Sequence, residues 1–232
     1  DVKAASALAN HRLGMLEEPI KNAIVQACQE IKAGKLHDQF VVDMIQGGAG
    51  TSTNMNANEV IANLALEHMG KQKGDYQHLH PNNDVNMAQS TNDAYPTAIR
   101  VGLLLGHNDL LQSLAGLIDA FDDKSDEFSH VLKMGRTQLQ DAVPMTLGQE
   151  FKAFAANLNE DLKRLKSLAN DLFTEVNIGG TAIGTGINAD PRYQGIAVER
   201  LAALCGYPIK AAPNLIEATS DMGSFVLFSG ML

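Results

Sequence analysis

The amino-acid sequence predicts an all-α fold. Hydrophobic residues fill 45% of the 232 positions while aromatics fill only 5% and tryptophan is missing, a balance that suits packed helices better than a β-sandwich. Apolar residues recur three and four apart over long runs, the helical spacing. One run, from Pro96 to near Phe128, predicts a helix of roughly 35 residues, or ~50 Å. Helices of that length belong in extended bundles or oligomer cores. A chain of this size buries a sizeable core as one large domain or two small ones.

In order along the chain, residues 2–35 carry apolar positions at Ala5, Leu8, Leu13, Leu16, Ile20, Ile24, Ala27 and Ile31. They predict two helices joined at Glu18-Pro19, because proline fits a first turn and breaks a helix interior. Residues 40–42 form a short connecting stretch. Residues 46–58 hold three glycines followed by hydroxyl and amide side chains and no charge; this is either a donor-rich loop able to wrap a small anion or an ordinary capped helix start. Residues 59–69 predict a helix closed by Gly70, and residues 71–86 a polar loop. His78 and His80 in that loop lack metal-binding helical spacing and cysteine support. Gln89-Ser90-Thr91-Asn92-Asp93 is a second polar cluster, with caps for the long helix that follows and Pro96 in its first turn. Residues 135–150 predict a polar turn between two bundle helices, with Thr146 and Gln149 as a capping box. The helix after it shows Phe151, Phe154, Leu158, Leu162, Leu165, Leu168 and Leu172, antiparallel to the first. A glycine-rich stretch over residues 179–188, a short helix over residues 193–206 and the start of a third long helix over residues 214–232 complete the pattern.

The net charge of −9 speaks against broad nucleic-acid or anionic-membrane binding, since neither polyanion is drawn to an acidic surface. No apolar run reaches the ~18 residues that span a bilayer, and the first residues lack a secretory pattern. Cys28 and Cys205 sit in apolar helical context, as buried thiols do. These features together read as a soluble, cytoplasmic protein. The chain opens within one helical pattern and stops within another, as a piece of something longer does.

Three small polar clusters, in residues 47–56, 89–93 and 136–138, lie at helix ends. Helix starts supply unpaired N–H donors and positive partial charge, so the clusters together suit a small dicarboxylate without many lysines. None offers a nucleophile: Ser52, Ser90 and Ser125 have no histidine at a recognisable spacing. No paired carboxylates for hydrolysis occur in a polar cluster.

The stretches GGAGTSTNMNANEV, HPNNDVNMAQSTNDAYPTAI and KMGRTQLQDAVPMTLGQEF resemble the aspartase/fumarase superfamily, and the resemblance runs over essentially the whole chain. Fumarases typically read GSGTQ, QSSND and GRTH where this chain has Gly48-Ala49-Gly50-Thr51-Ser52, Thr91 and Gln138, so the resemblance points to the ammonia-lyase branch. It implies a small helical domain at residues 1–90 and part of a central long-helix bundle at residues 91–232. It further implies reversible anti-elimination of ammonia from L-aspartate to fumarate through an enediolate, with no organic cofactor, in a homotetramer whose subunits share each site. By the matching motifs, Thr51, Ser90 and Thr91 bind the carboxylate that becomes the enediolate and Asn92 orients the substrate. Thr137 and Gln138 complete the pocket. The family's loop of the type GSSxMPxKxNP, with its serine base, is absent from these residues. The chain alone is therefore expected to be inactive, with no catalytic residue of its own. Fumarate hydratase and a non-catalytic helical assembly module are the alternatives.

Overall fold

The computed structural model describes residues 1–45 and 48–232. The chain is mainly helical, as expected, with short strands that the sequence reading did not include, and its residues group into two compact units. One comprises Asp1–Leu103 and Phe173–Gly223; the other comprises Leu104–Leu172 and Ser224–Leu232.

The first unit is built on α1 (Val2–Arg12), a helix buried on nearly every side. Its Ala4, Ala5, Ala7 and Ala9 are almost inaccessible, and such small side chains let α2 (Glu18–Lys32) and α6 (Tyr193–Cys205) pack close. Pro19 stands in the first turn of α2, where the missing N–H costs nothing. Ile24 from α2 and Leu66 from α3 (Thr51–His68) are fully buried in the same core. Each such side chain contributes about 1.5–3 kcal/mol. Cys28 and Cys205 are both buried and free; burial, before any other cause, pushes the Cys28 thiol up to about 11. Two short parallel strands, β3 (Glu175–Val176) and β4 (Lys210–Ala211), close the unit.

Helix α3 begins at Thr51 rather than at Glu59. Gly50, at φ 82°, turns the chain into it, and Asn54 N–H donates to the Gly50 carbonyl at 3.1 Å. A side chain at residue 50 would run into the ring of Tyr95. The uncharged stretch is thus a bend over residues 48–50 and helix from Thr51 on, Gln46 and Gly47 lying outside the described residues. Threonine and asparagine are weak helix formers, but Asn54 and Asn58 are buried and donate to Asn86, so tertiary bonding overrides propensity. In the following loop His80 acts as a cap. Its Nδ1 accepts from the N–H groups of Asn82 and Asn83 at 3.0 and 3.3 Å, holding a single π turn at Pro81–Val85.

The third long helix is not formed. Helix α7 (Leu215–Ser220) starts on Asn214, whose Oδ1 accepts from the N–H groups of Ile216 and Glu217. It stops at the extended Asp221, which accepts from Gly223 N–H at 3.1 Å and opens a new helix, α8 (Gly223–Ser229). A carboxylate competing for backbone N–H groups is what ends the run.

Helix α4 (Thr91–Glu127) gives its first residues, to Leu103, to the first unit and the rest to the second. In the second unit it packs antiparallel to α5 (Leu147–Phe173), with Ile118, Ala155 and Leu162 at the centre and Phe121, Phe128, Phe151 and Phe154 in successive ring contacts. The polar turn expected between these helices is instead a β-hairpin, β1 (Leu132–Thr137) paired antiparallel with β2 (Gln140–Thr146). Gln138 and Leu139 form its tip at φ 51° and 62°, the two positive values that a two-residue type I′ turn needs. Beyond it the capping box forms as expected: Thr146 N–H donates to Gln149 Oε1 at 2.9 Å, and Gln149 N–H donates to Thr146 Oγ1 at 3.1 Å.

Candidate functional site

The site residues in the first unit lie where α3 and α4 begin. Ser90 precedes α4, and its Oγ accepts from Asn92 N–H at 3.3 Å while Asp93 Oδ1 accepts from Ser90 N–H at 2.8 Å. This is a capping box with aspartate as its acid, legible as Ser-x-x-Asp.

Asp93 does more than cap. It is 0% exposed, and its Oδ2 accepts from the N–H groups of Gly179 and Thr181 at 3.0 and 2.9 Å. One buried carboxylate thereby joins the start of α4 to the glycine-rich stretch. Burial is the largest influence on Asp93 and raises its pKa to about 6, against the opposing pull of those three N–H groups and of Lys3.

Asn92 is fixed from two sides. Pro96 has no N–H, so the Asn92 carbonyl lacks its partner within the helix; Asn177 Nδ2 donates to it at 3.0 Å. The side-chain Nδ2 of Asn92 donates to the Ala182 carbonyl at 2.6 Å. An amide so anchored presents its oxygen as the remaining acceptor, which suits a protonated amine.

Thr91 Oγ1 accepts from Asn54 Nδ2 at 3.1 Å. With an incoming donor on the oxygen, the hydroxyl proton is left for an acceptor elsewhere, as binding a carboxylate requires. Ser90 is arranged likewise, its oxygen taken by Asn92 N–H. Thr51 stands one helical turn before Asn54, on the same face of α3, and is exposed. Thr51, Ser90, Thr91 and Asn92 are thus gathered at two helix starts in one unit. Thr137 and Gln138 belong to the exposed hairpin end of the other unit.

Behind Thr91 lies a polar chain that sequence reasoning missed. Asn86 Oδ1 receives Asn54 Nδ2 at 3.2 Å, Asn58 Nδ2 at 3.3 Å and Lys3 Nζ at 2.8 Å. Lys3 Nζ also donates to Gln89 Oε1 at 3.0 Å. Lys3 is 9% exposed, and burial is the main reason its pKa falls from 10.5 to about 7. The signal available in the sequence was a lysine inside an Ala/Ser-rich helix, where no amphipathic face calls for a charge.

The sign of the Lys3 effect is opposite to that of a paired lysine. The unfolded chain holds its proton up to 10.5 and the folded chain only to about 7. Stability therefore rises with pH across that window, by about 2 kcal/mol between pH 7 and pH 9. Urea midpoints are expected to rise by that increment in the native protein and not in Lys3→Met; equal slopes in the two would refute it.

Among the described residues no helix is long and apolar enough to cross a membrane, and no three His, Cys, Asp or Glu side chains gather as for a metal ion. The chain is helical, with hydroxyl and amide side chains clustered at two helix starts. It belongs to the lyase family, whose family model matches residues 1–232. The chain is 74% identical over 231 residues to the aspartate ammonia-lyase of Pseudomonas canavaninivorans, covering 100% of this chain and 49% of that protein. Among solved structures it is similar to the fumarate lyase:delta crystallin from Brucella melitensis bound to cobalt, at 60% identity and a TM-score of 0.92 over 99% of this chain and 50% of that one. The class II fumarase from Schistosoma mansoni matches at 32% identity and a TM-score of 0.87, over 99% of this chain and 51% of that one. The chain spans about half the length of the curated relatives it matches.

Proposed function

We propose that the whole protein is an aspartate ammonia-lyase that eliminates ammonia reversibly from L-aspartate to give fumarate. The observation that carries this reading is the 74% identity along the full chain to an enzyme of that name. The chemical difficulty is that the C3 proton sits beside a carboxylate already carrying charge, so deprotonation builds a second oxyanion charge. Donors fixed in advance toward that charge supply the largest contribution. In this reading Thr51, Ser90 and Thr91 donate to the carboxylate that becomes the enediolate. Asn92, held by Ala182 and Asn177, offers its amide oxygen to the amino group. In the homotetramer of this reading, where each site is shared between subunits, Thr137 and Gln138 complete the pocket.

No base is assigned within these residues. The serine loop that the family resemblance supplies belongs to the whole protein, and residues 1–232 alone are expected to be inactive. The whole protein is read as a cytoplasmic homotetramer with an N-terminal helical domain and a central bundle domain, needing no cofactor for the elimination.

The test is the absorbance of fumarate formed from L-aspartate by the whole protein. Fumarate formed from malate and not from L-aspartate would overturn the proposal in favour of fumarate hydratase, the reading that the likeness to the Schistosoma mansoni fumarase keeps open.

A further inference from the structure

We propose that Lys3 and Asn54 are positioning residues that fix the direction in which the Thr91 hydroxyl donates, through a relay running Lys3–Asn86–Asn54–Thr91. The proposal rests on the reading of Thr91 as a donor to the substrate carboxylate and adds a cause for its polarity.

Each link has one permitted sense. Lys3 Nζ faces two amide oxygens, Asn86 Oδ1 at 2.8 Å and Gln89 Oε1 at 3.0 Å, and it donates to both whether it carries two protons or three. The orientation of each amide is fixed independently by backbone carbonyls. Asn86 Nδ2 donates to the Gln89 carbonyl at 3.2 Å, and Gln89 Nε2 donates to the carbonyls of Val85 and Met87 at 3.1 and 3.2 Å. With Asn86 Oδ1 turned inward, Asn54 must face it with its Nδ2, since its Oδ1 there would set two acceptors against each other. The same Nδ2 reaches Thr91 Oγ1. With a donor on its inward side, Thr91 has no acceptor there for its own O–H, so the proton points outward, beside the one lone pair still open.

The cost of the arrangement argues against a purely structural origin. A lysine buried in an alanine-lined helix weakens the fold near neutral pH, a cost set against its bonds to the two amide oxygens that it holds in place. Asn54 is likewise 5% exposed, and its bond to Asn86 helps hold the start of α3 while the same Nδ2 reaches on to Thr91. Both are accounted for if the hydroxyl at the far end must point one way.

The experiment is a double-mutant cycle in the whole protein, measuring kcat/KM for L-aspartate with melting temperature alongside. Asn54→Asp keeps the shape but replaces the donor by an acceptor, so the Thr91 proton turns inward. A loss of roughly 30-fold or more is expected, comparable to Thr91→Val itself. In the Asn54→Asp background, Thr91→Val is expected to cost less than about threefold more, because the hydroxyl has already been withdrawn. Asn54→Ala and Lys3→Met release the hydroxyl without reversing it. Smaller losses that are also non-additive with Thr91→Val are expected, and these variants decide the matter if Asn54→Asp does not fold. A folded Asn54→Asp protein with near-native kcat/KM, or losses that simply add to that of Thr91→Val, would overturn the relay alone. A silent Thr91→Val in the native background would overturn the reading of Thr91 as well, and the relay with it.

Discussion

Thr91→Val in the whole protein is expected to remove about 2–4 kcal/mol of transition-state stabilisation, roughly 30- to 1000-fold in kcat/KM for L-aspartate. Valine matches threonine in shape, so Asn54 loses its acceptor but the core keeps its packing. On the proposed reading the loss falls mainly on kcat, because the bond from the hydroxyl to the carboxylate strengthens as the enediolate charge develops. Steady-state kinetics with fumarate absorbance as the readout separate the two parameters. A rise in KM with kcat intact would place Thr91 in ordinary substrate binding.

The second large effect concerns stability. Asp93→Ala leaves the N–H groups of Ser90, Gly179 and Thr181 without their acceptor. Each orphaned buried donor costs about 1–3 kcal/mol. Against this stands the relief of no longer burying a carboxylate whose pKa is raised from 3.8 to about 6, a gain of about 3 kcal/mol above pH 6. The expected net loss is about 3 kcal/mol at pH 7, read from the urea midpoint. The pH dependence carries its own sign. Between pH 4 and pH 6 the folded protein holds a proton on Asp93 that the unfolded chain has released, so stability falls as pH rises through that window. The Asp93→Ala variant should lack that fall. A variant as stable as the parent with the same acid profile would show that the three N–H groups find other acceptors.

Much of the helical architecture was legible because its causes are local. Pro19 marks a first turn, Gly206 closes α6, and Thr146 with Gln149 forms the box it announces, whereas Pro96, expected in a first turn, lies inside α4 because that helix already begins at Thr91. The misreadings share a different origin. The start of α3 was hidden because Thr51 to Asn58 are poor helix formers, and the hydrogen bonds that hold them come from Asn86. The hairpin was hidden because its two-residue tip is Gln138-Leu139 and not the Asn-Gly that signals such turns. The break before α8 depends on a single side chain, Asp221, choosing a new N–H in place of continuing the helix.

At the candidate site the motif residues were legible as polar clusters, and their supports were not. Residues 3, 54, 86 and 91 meet only in the folded chain, and no spacing rule links them. Asp93 was visible as a cap, yet its bonds to Gly179 and Thr181 reach across residues 104–172, which belong to the second unit. The glycine-rich stretch carried no such partner on its face.

That span sets an order of events during synthesis. Asp93 leaves the ribosome 86 residues ahead of Gly179, an interval of roughly 4–17 s at ~5–20 residues per second. Through that interval the nascent chain holds a carboxylate destined for the interior with two of its three backbone partners still unmade. The turn from Ser90 to Asn92 can therefore mature only after α5 has been translated, and slowing translation within residues 104–172 should delay it by the same amount.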